Sequence, residues 1–403
     1  MNRQALSGIK VLEYSEFISG PYCGKLLANL GAQVIKVEKP GFGDKSRSWG
    51  PFPADLPHPE KSGLFLFLNT DKMGITLNPS TAMGSKIFKE LVKWADILIE
   101  SNPPGAMKQL GLDYANLKEI NPALIMASIT PFGQTGPFSD YRGCDLINSH
   151  ASSEAFGNPA EGVDDVEKFP PLKGPAHAAD FMPGLTAAIC CLSAILARQK
   201  SGLGQHIDVS QQEALASVGR QELAFYAVEG SPPTRQKGRK RRGGILYPAK
   251  DGFVCIWIGP HMPKIVKMMG DPDWSKEEIF MNPATRQDFM PEFNQLVSAW
   301  TMERTMKEID EMAIKFGVPC SPVRSVKELV EDEQMAFREF WVELDHPEAG
   351  KLIYPGSPYK LSATPWKVEK PAPLLGEHNE QVYCQMLGYS RQDLVRMRQA
   401  GII

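Results

Sequence analysis

Strand-like and helix-like runs alternate through the first half of the chain, and that alternation restricts the fold more than any other feature. A β-prone run at 9–14 is followed by a turn at Gly20 and Pro21, a helix-like run at 22–30 and a second β-prone run at 33–38. Apolar residues recurring every second position mark strands and every third or fourth mark helices, so this is a βαβ unit. The pattern continues with 74–77, the amphipathic run 85–94, then 96–100 and 123–128, and a last strand at 206–210 after Gly202, Leu203 and Gly204. Parallel strands need such crossovers. The expected fold is α/β, a doubly wound, mainly parallel sheet of Rossmann type.

A chain of 403 residues exceeds what one core usually serves, so a second domain is expected. A helical run at 212–229 ends at Gly230, Ser231, Pro232 and Pro233, which reads as a linker helix over 211–233 and a boundary. Beyond it, a strand at 252–257 and helices near 263–269 and 302–315 indicate a smaller α+β unit. The tail from about 343 is rich in Pro and Gly.

The 44 basic and 47 acidic residues leave a net charge of −3, which offers nucleic acid or an anionic membrane no global field. The longest apolar stretch, 181–197, falls short of the ~20 residues a bilayer needs and reads as a buried helix. The opening residues turn polar by Lys10 and Glu13, so no secretory signal is expected. Seven cysteines without a CxxC pair fit a reducing cytoplasm.

Several chemistries lack their signatures. Glu38 ends the first βαβ unit where dinucleotide enzymes hold a ribose, but no GxGxxG precedes it, so a nicotinamide cofactor is not expected. The seven histidines are scattered without HxxxH spacing, and no metal is expected; no GxSxG elbow supports a serine nucleophile. The run 235–242 packs six cations into eight residues, followed by Gly243 and Gly244, and suits either a phosphate clamp or a solvated loop.

Asp180 is the most informative residue. It stands at the expected N-cap of the apolar helix that closes near Gly202, with Pro183 in the first turn. Capping alone explains that spacing. A carboxylate at a helix N-terminus beside an apolar wall is also a poised nucleophile, and with an ordinary pKa near 3.9 it is roughly 99.9% ionised at pH 7. His177, three residues earlier, reads as a loop histidine and is given no role.

Blocks along nearly the whole chain resemble class III CoA-transferases, the CaiB/BaiF group. They stand at 6–13, Gly20-Pro21, 30–38, Phe132-Gly133-Gln134-Thr135-Gly136-Pro137, 202–210, Gly317-Val318-Pro319-Cys320, His346-Pro347, 355–358 and 373–378. The resemblance implies a large α/β domain over 1–210 completed by about 343–403, a small domain over 234–330, a return linker at 331–342 and an interlocked dimer. A homodimer is expected, with a heteromer of paralogous subunits as the alternative.

The residue matching Asp180 is the family's catalytic aspartate. The implied reaction moves CoA from an acyl-CoA donor, succinyl-CoA being one candidate, to a free carboxylic acid, through an aspartyl anhydride and an aspartyl-CoA thioester. CoA is a substrate; no tightly bound cofactor is implied. The resemblance places CoA near Ser19, Lys39, Leu77, Ser101, Asn102, Gln109, Arg142 and Asp145. Many relatives have Arg where this chain has Lys39 and Gln109, and Asn where it has Ser101. The glycine-rich loop that covers the aspartate in some formyl-CoA transferases is absent, which weakens that substrate assignment.

Two alternatives accompany this reading. The family includes α-methylacyl-CoA racemases, which read Gly-His-Asp where this chain has Gly143-Cys144-Asp145, and a thiol is a poor base at pH 7. A noncatalytic acyl-CoA-binding subunit is the other, and Asp180 argues against it. Phe17, Ile18, Phe181 and Met182 suit an aromatic or branched acceptor acid, or ordinary core packing.

Overall fold

A computed structural model describes residues 4–158, 168–218, 220–230, 245–286 and 288–403. The basic run 235–242 with Gly243 and Gly244 lies outside them. Residues fall into two compact units, the first holding both chain ends, with its last segment resuming at Arg338.

The first unit is built on six strands: β1 (Lys10–Tyr14), β2 (Gln33–Glu38), β3 (Lys72–Thr76), β4 (Ile97–Glu100), β5 (Ile125–Thr130) and β6 (His206–Ser210). All neighbours are parallel, in the order β3-β2-β1-β4-β5-β6. This is the doubly wound order, whose topology reverses between β1 and β4. Alternate side chains supply two cores. Leu12, Ile35, Leu98 and Met126 face one layer, while Val11, Val34, Ile97 and Ile125 face the other. Burial on both faces explains why these strands read as continuous apolar runs.

Helix α1 (Ser19–Asn29) and α4 (Ala178–Ser201) cover one face, and α2 (Ala82–Trp94) covers the other, with α3 (Asp145–Ala151) preceding α4. At Gly184 an added Cβ would stand 2.4 Å from the Ser19 carbonyl oxygen, so α4 approaches the start of α1 only because this position lacks a side chain. The expected buried helix is corrected in two ways. Its 24 residues make it long and apolar enough to cross a bilayer by length and composition, and half of its apolar window is buried. Leu185, Ile189 and Leu196 are exposed.

The expected linker helix over 211–233 is replaced by two helices, α5 (Gln211–Ala216) and α6 (Arg220–Glu229), and the expected linker 331–342 contains helix Glu333–Phe337 and the start of a hairpin. That hairpin, β10 (Trp341–His346) with β11 (Gly350–Pro355), belongs to the first unit and packs Leu344 and Tyr354 against Phe65 and Leu66. The C-terminal segment then seals the sheet edge. The His378 N–H donates to the Gly74 carbonyl at 2.9 Å, the Thr76 N–H donates to Asn379 Oδ1 at 2.9 Å, and the Tyr383 hydroxyl donates to the Thr76 carbonyl at 2.6 Å.

The second unit has its own three-stranded antiparallel sheet, β7 (Ile245–Ala249), β8 (Gly252–Ile256) and β9 (Cys320–Pro322). Helices α7 (Met262–Met268), α8 (Met290–Thr301) and α9 (Met306–Phe316) pack on it through Ile265, Phe293 and Ile309.

Candidate active site

Segments that follow successive strands of the first unit converge on one cavity of about 1160 Å³. Its lining includes Glu16 to Ser19 after β1, Lys39 after β2, Leu77 to Ser80 after β3, Ser101 to Pro103 after β4, Pro131 after β5 and Gln211 after β6. Ligands of open α/β sheets bind at these carboxyl ends, beside the topological switch. The volume exceeds the roughly 300–1,000 Å³ of sites for drug-sized molecules and suits a larger ligand.

Asp180 opens onto this cavity while only 5% of it is exposed. It is not the N-cap. The helix starts at Ala178 with His177 as its N-cap, which places Asp180 in the first turn and Pro183 one turn further in than expected. The capping acceptor is Asp145 from α3, whose Oδ1 accepts the Ala179 N–H at 3.1 Å. Asp180 therefore keeps its carboxylate free of the backbone.

Burial pushes the Asp180 carboxyl up to about 6, and the Asp145 charge adds to the rise; His177 and Lys173 oppose it. At pH 7 roughly nine-tenths is ionised, less than an unperturbed aspartate. His177 Nδ1 lies 3.3 Å from Asp180 Oδ2, and the Lys173 ammonium pairs with Asp145. Ligand atoms of Asp145, His177 and Asp180 lie within 4.8 Å of one another, a spacing that a cation could bridge. Lys173 already supplies positive charge there.

Below this cluster, a chain of hydrogen bonds fixes the peptide of the nucleophile candidate. Ser19 Oγ donates to the Asp180 carbonyl at 2.8 Å and accepts from Gln211 Nε2 at 3.0 Å, and Gln211 Oε1 accepts from Asn148. Ser19, Asn148 and Gln211 are all buried.

Three rings share the cavity lining with the carboxylate, and one of them, His177, contacts it. Phe17 meets Trp49 at 5.1 Å and His177 at 5.4 Å between centroids, and Trp49 meets His177 at 5.7 Å, all edge to face. Phe17 adopts φ 72°, a left-handed conformation that costs a bulky residue about 1–3 kcal/mol. Its N–H donates to Asp44 Oδ1 at 3.0 Å, and Asp44 is locked by Lys36 at 2.7 Å. A buried ion network thus holds the ring in place.

Of the residues expected to contact CoA, Lys39, Leu77, Ser101, Asn102, Ser19 and Asp145 line the cavity. Ser19 and Asp145 are engaged with the Asp180 segment, as described. The Ser101 hydroxyl accepts the Glu16 N–H at 3.1 Å, and Asn102 donates from its backbone to Glu100 at 2.7 Å. Gln109 and Arg142 are both exposed, and neither lines the cavity. Gln109 ends the short helix Ala106–Gln109, and Arg142 lies on the loop before α3. Phe181 and Met182 do not line it either; Phe181 turns onto Tyr22, 4.9 Å away, and Phe67.

Sequence reasoning missed Lys173 and Gln211 as site residues. Gln211 had a usable signal, because it directly follows the last parallel strand, where such folds place their ligands. Lys173 had none.

Residues 6–379 match the family described as CoA-transferase family III. The chain is 31% identical to a succinyl-CoA–D-citramalate CoA-transferase of Chloroflexus aurantiacus, covering 99% of this chain and 98% of that one. It is also 31% identical to a formyl-CoA:oxalate CoA-transferase of Bradyrhizobium diazoefficiens, covering 99% and 97%. Among solved structures, a CaiB/BaiF family protein from Brucella suis superposes with a TM-score of 0.84 at 28% identity, over 95% of this chain and 99% of that one. Fold, cavity position and full-length similarity agree, and the chain belongs to CoA-transferase family III.

Proposed function

We propose that this protein moves CoA from an acyl thioester to a free carboxylic acid with Asp180 as nucleophile. The observation that carries this is a carboxylate held just inside a large cavity at the strand ends, released from capping by Asp145 and still mostly ionised at neutral pH.

The steps balance without a net proton. An Asp180 oxygen attacks the thioester carbonyl carbon, the C–S bond breaks, and the sulfur leaves with its electron pair as CoA thiolate, giving a mixed anhydride. The thiolate attacks the Asp180 carbonyl carbon and expels the donor acid as carboxylate, giving an aspartyl-CoA thioester. The acceptor carboxylate then attacks that thioester and releases thiolate. Finally the thiolate attacks the acceptor's carbonyl in the new anhydride, forming the product thioester and restoring Asp180. His177 and Lys173 moderate the negative charge throughout, while Ser19 and Gln211 anchor the Asp180 peptide.

In this reading Lys39 meets CoA phosphates, and Leu77, Ser101 and Asn102 form the wall along which CoA lies. Succinyl-CoA, the donor of the Chloroflexus aurantiacus relative, is the dicarboxylate donor against which others are compared. The exposed Leu185, Ile189 and Leu196 stripe of α4 suits burial against a second copy, which native mass measurement checks. All seven cysteines are free, consistent with a cytoplasmic site of action.

The test is peptide mapping of protein quenched during turnover with an acyl-CoA and a carboxylic acid. An adduct on Asp180, absent in Asp180→Asn together with turnover, supports the proposal. Turnover without that adduct, or deuterium uptake at the α-carbon in heavy water without any acceptor acid, would sink it.

A further inference from the structure

If Asp180 carries the intermediates, two acids must in turn sit against its carboxylate, and the surroundings of that carboxylate restrict which acids fit. We propose that this acid compartment takes an apolar monocarboxylate with an aromatic or branched side chain and disfavours short dicarboxylates. This rests on the transferase reading above and adds the substrate class.

Apolar contact comes from the ring cluster. Phe17, Trp49 and His177 are edge to face with one another, and all three share the cavity lining with Asp180. An acyl side chain placed there exchanges water for ring surface, and a planar side chain gains further from edge-on packing. The wall is built rather than incidental, because the Phe17 backbone is held at φ 72° by Asp44, itself tied to buried Lys36.

Charge argues in the same direction. Among the described residues, the lysines lining the cavity are Lys39, Lys45 and Lys173, and no arginine lines it. Lys173 is taken by Asp145, Lys45 pairs with Glu16 at 2.7 Å, and Lys39 lies 4.9 Å from the centre of the Phe42 ring, after β2. A second carboxylate beside Asp180 would shed water against rings, near the existing charges of Asp145 and Asp180, with no unengaged cation at the ring cluster. The remaining lysine, Lys39, is the one assigned to phosphates.

Identity exchange tests this without knowing the physiological donor. Each isotopically labelled acid is mixed with its own unlabelled CoA thioester, and label entering the thioester is followed by mass spectrometry. The probes are phenylacetate, isovalerate, succinate and oxalate. Phenylacetate or isovalerate is expected to exchange with kcat/KM at least about tenfold above both dicarboxylates, the scale on which apolar pockets discriminate.

Two variants sharpen the result. Phe17→Asn removes the ring and keeps a residue that tolerates the left-handed backbone, and Trp49→Ala removes a ring that is 49% exposed and so outside any core. Each should lower exchange of the apolar acid by about tenfold or more while narrowing its lead over succinate, with the dissociation constant of free CoA unchanged. Faster exchange of succinate or oxalate, with the Asp180 adduct present, overturns the substrate class and leaves the transferase reading intact. Variants that weaken all four acids equally overturn the role of the rings. No exchange with any acid and no adduct at Asp180 overturns both.

Discussion

Two charged clusters border the same cavity, and they are built to opposite ends. In the first, Lys36 bridges Glu13 at 2.9 Å and Asp44 at 2.7 Å, Lys72 reaches the other oxygen of Glu13 at 2.7 Å, and Arg47 clamps Glu38 at 2.7 Å, all with side chains at most 2% exposed. Burial alone would raise Asp44, but Lys36 and Ser46 overcome it and hold the carboxyl below its ordinary range. In the second, Asp145 and Asp180 share one lysine and one histidine, and the Asp180 carboxyl is left high, at about 6. Full compensation gives a rigid floor; partial compensation leaves a carboxylate with a raised pKa, as the proposed nucleophile requires.

The largest effect that would break this contrast is on turnover. Asp180→Asn is expected to lower kcat by at least about a thousandfold. It should also stabilise the protein. A folded-state pKa raised above the unfolded value means that the folded state retains a proton which the unfolded state has lost, so stability falls as pH rises from about 4 to about 6. Thermal unfolding of Asp180→Asn should therefore show a gain on the order of 1 kcal/mol at pH 7 to 8 that disappears below pH 4. A variant less stable than the parent at pH 8 would contradict it.

The compensated cluster should respond in the opposite sense. Lys36→Met strands Asp44 without its cation, leaves Glu13 with Lys72 alone, and is expected to cost about 3–5 kcal/mol in denaturant unfolding. A loss below about 1 kcal/mol would mean that the floor is not held by these charges.

Smaller changes sharpen the reactive side. In the parent, the acid limb of kcat/KM should fall about tenfold per pH unit below about 6. Asp145→Asn keeps an acceptor for the Ala179 N–H and removes a repelling charge, so this limb should move to lower pH by up to about one unit. Movement to higher pH would reverse the electrostatic assignment. The smallest effect is expected outside the cavity, where Gln109→Ala and Arg142→Ala should change KM for the CoA thioester less than about twofold. A tenfold rise for either would support the direct CoA contact that the resemblance implied.

How far the sequence could be read follows the range of the interactions involved. The parallel strands were legible because two-residue periodicity and short turns are local, and the alternation of Val11 with Leu12 and Val34 with Ile35 maps directly onto the two cores. Asp180 was legible as a helix-start carboxylate next to an apolar run. Its departure from the N-cap was not, because the acceptor that replaced it comes from Asp145, 34 residues away. Gln109 and Arg142 were named by likeness of motif, and that likeness did not indicate that both are exposed outside the cavity.

The same division holds for the chemistry. Residue order by itself determined a doubly wound sheet and a carboxylate opening its longest helix, since backbone hydrogen bonding and apolar periodicity act over a few neighbours. Only the tertiary structure decided that this carboxylate would be buried, opposed by one acid, eased by Lys173 and His177, and walled by a ring in a left-handed conformation. Desolvation and charge interaction depend on distance in space, and the groups that set them meet only after the strands between them have paired.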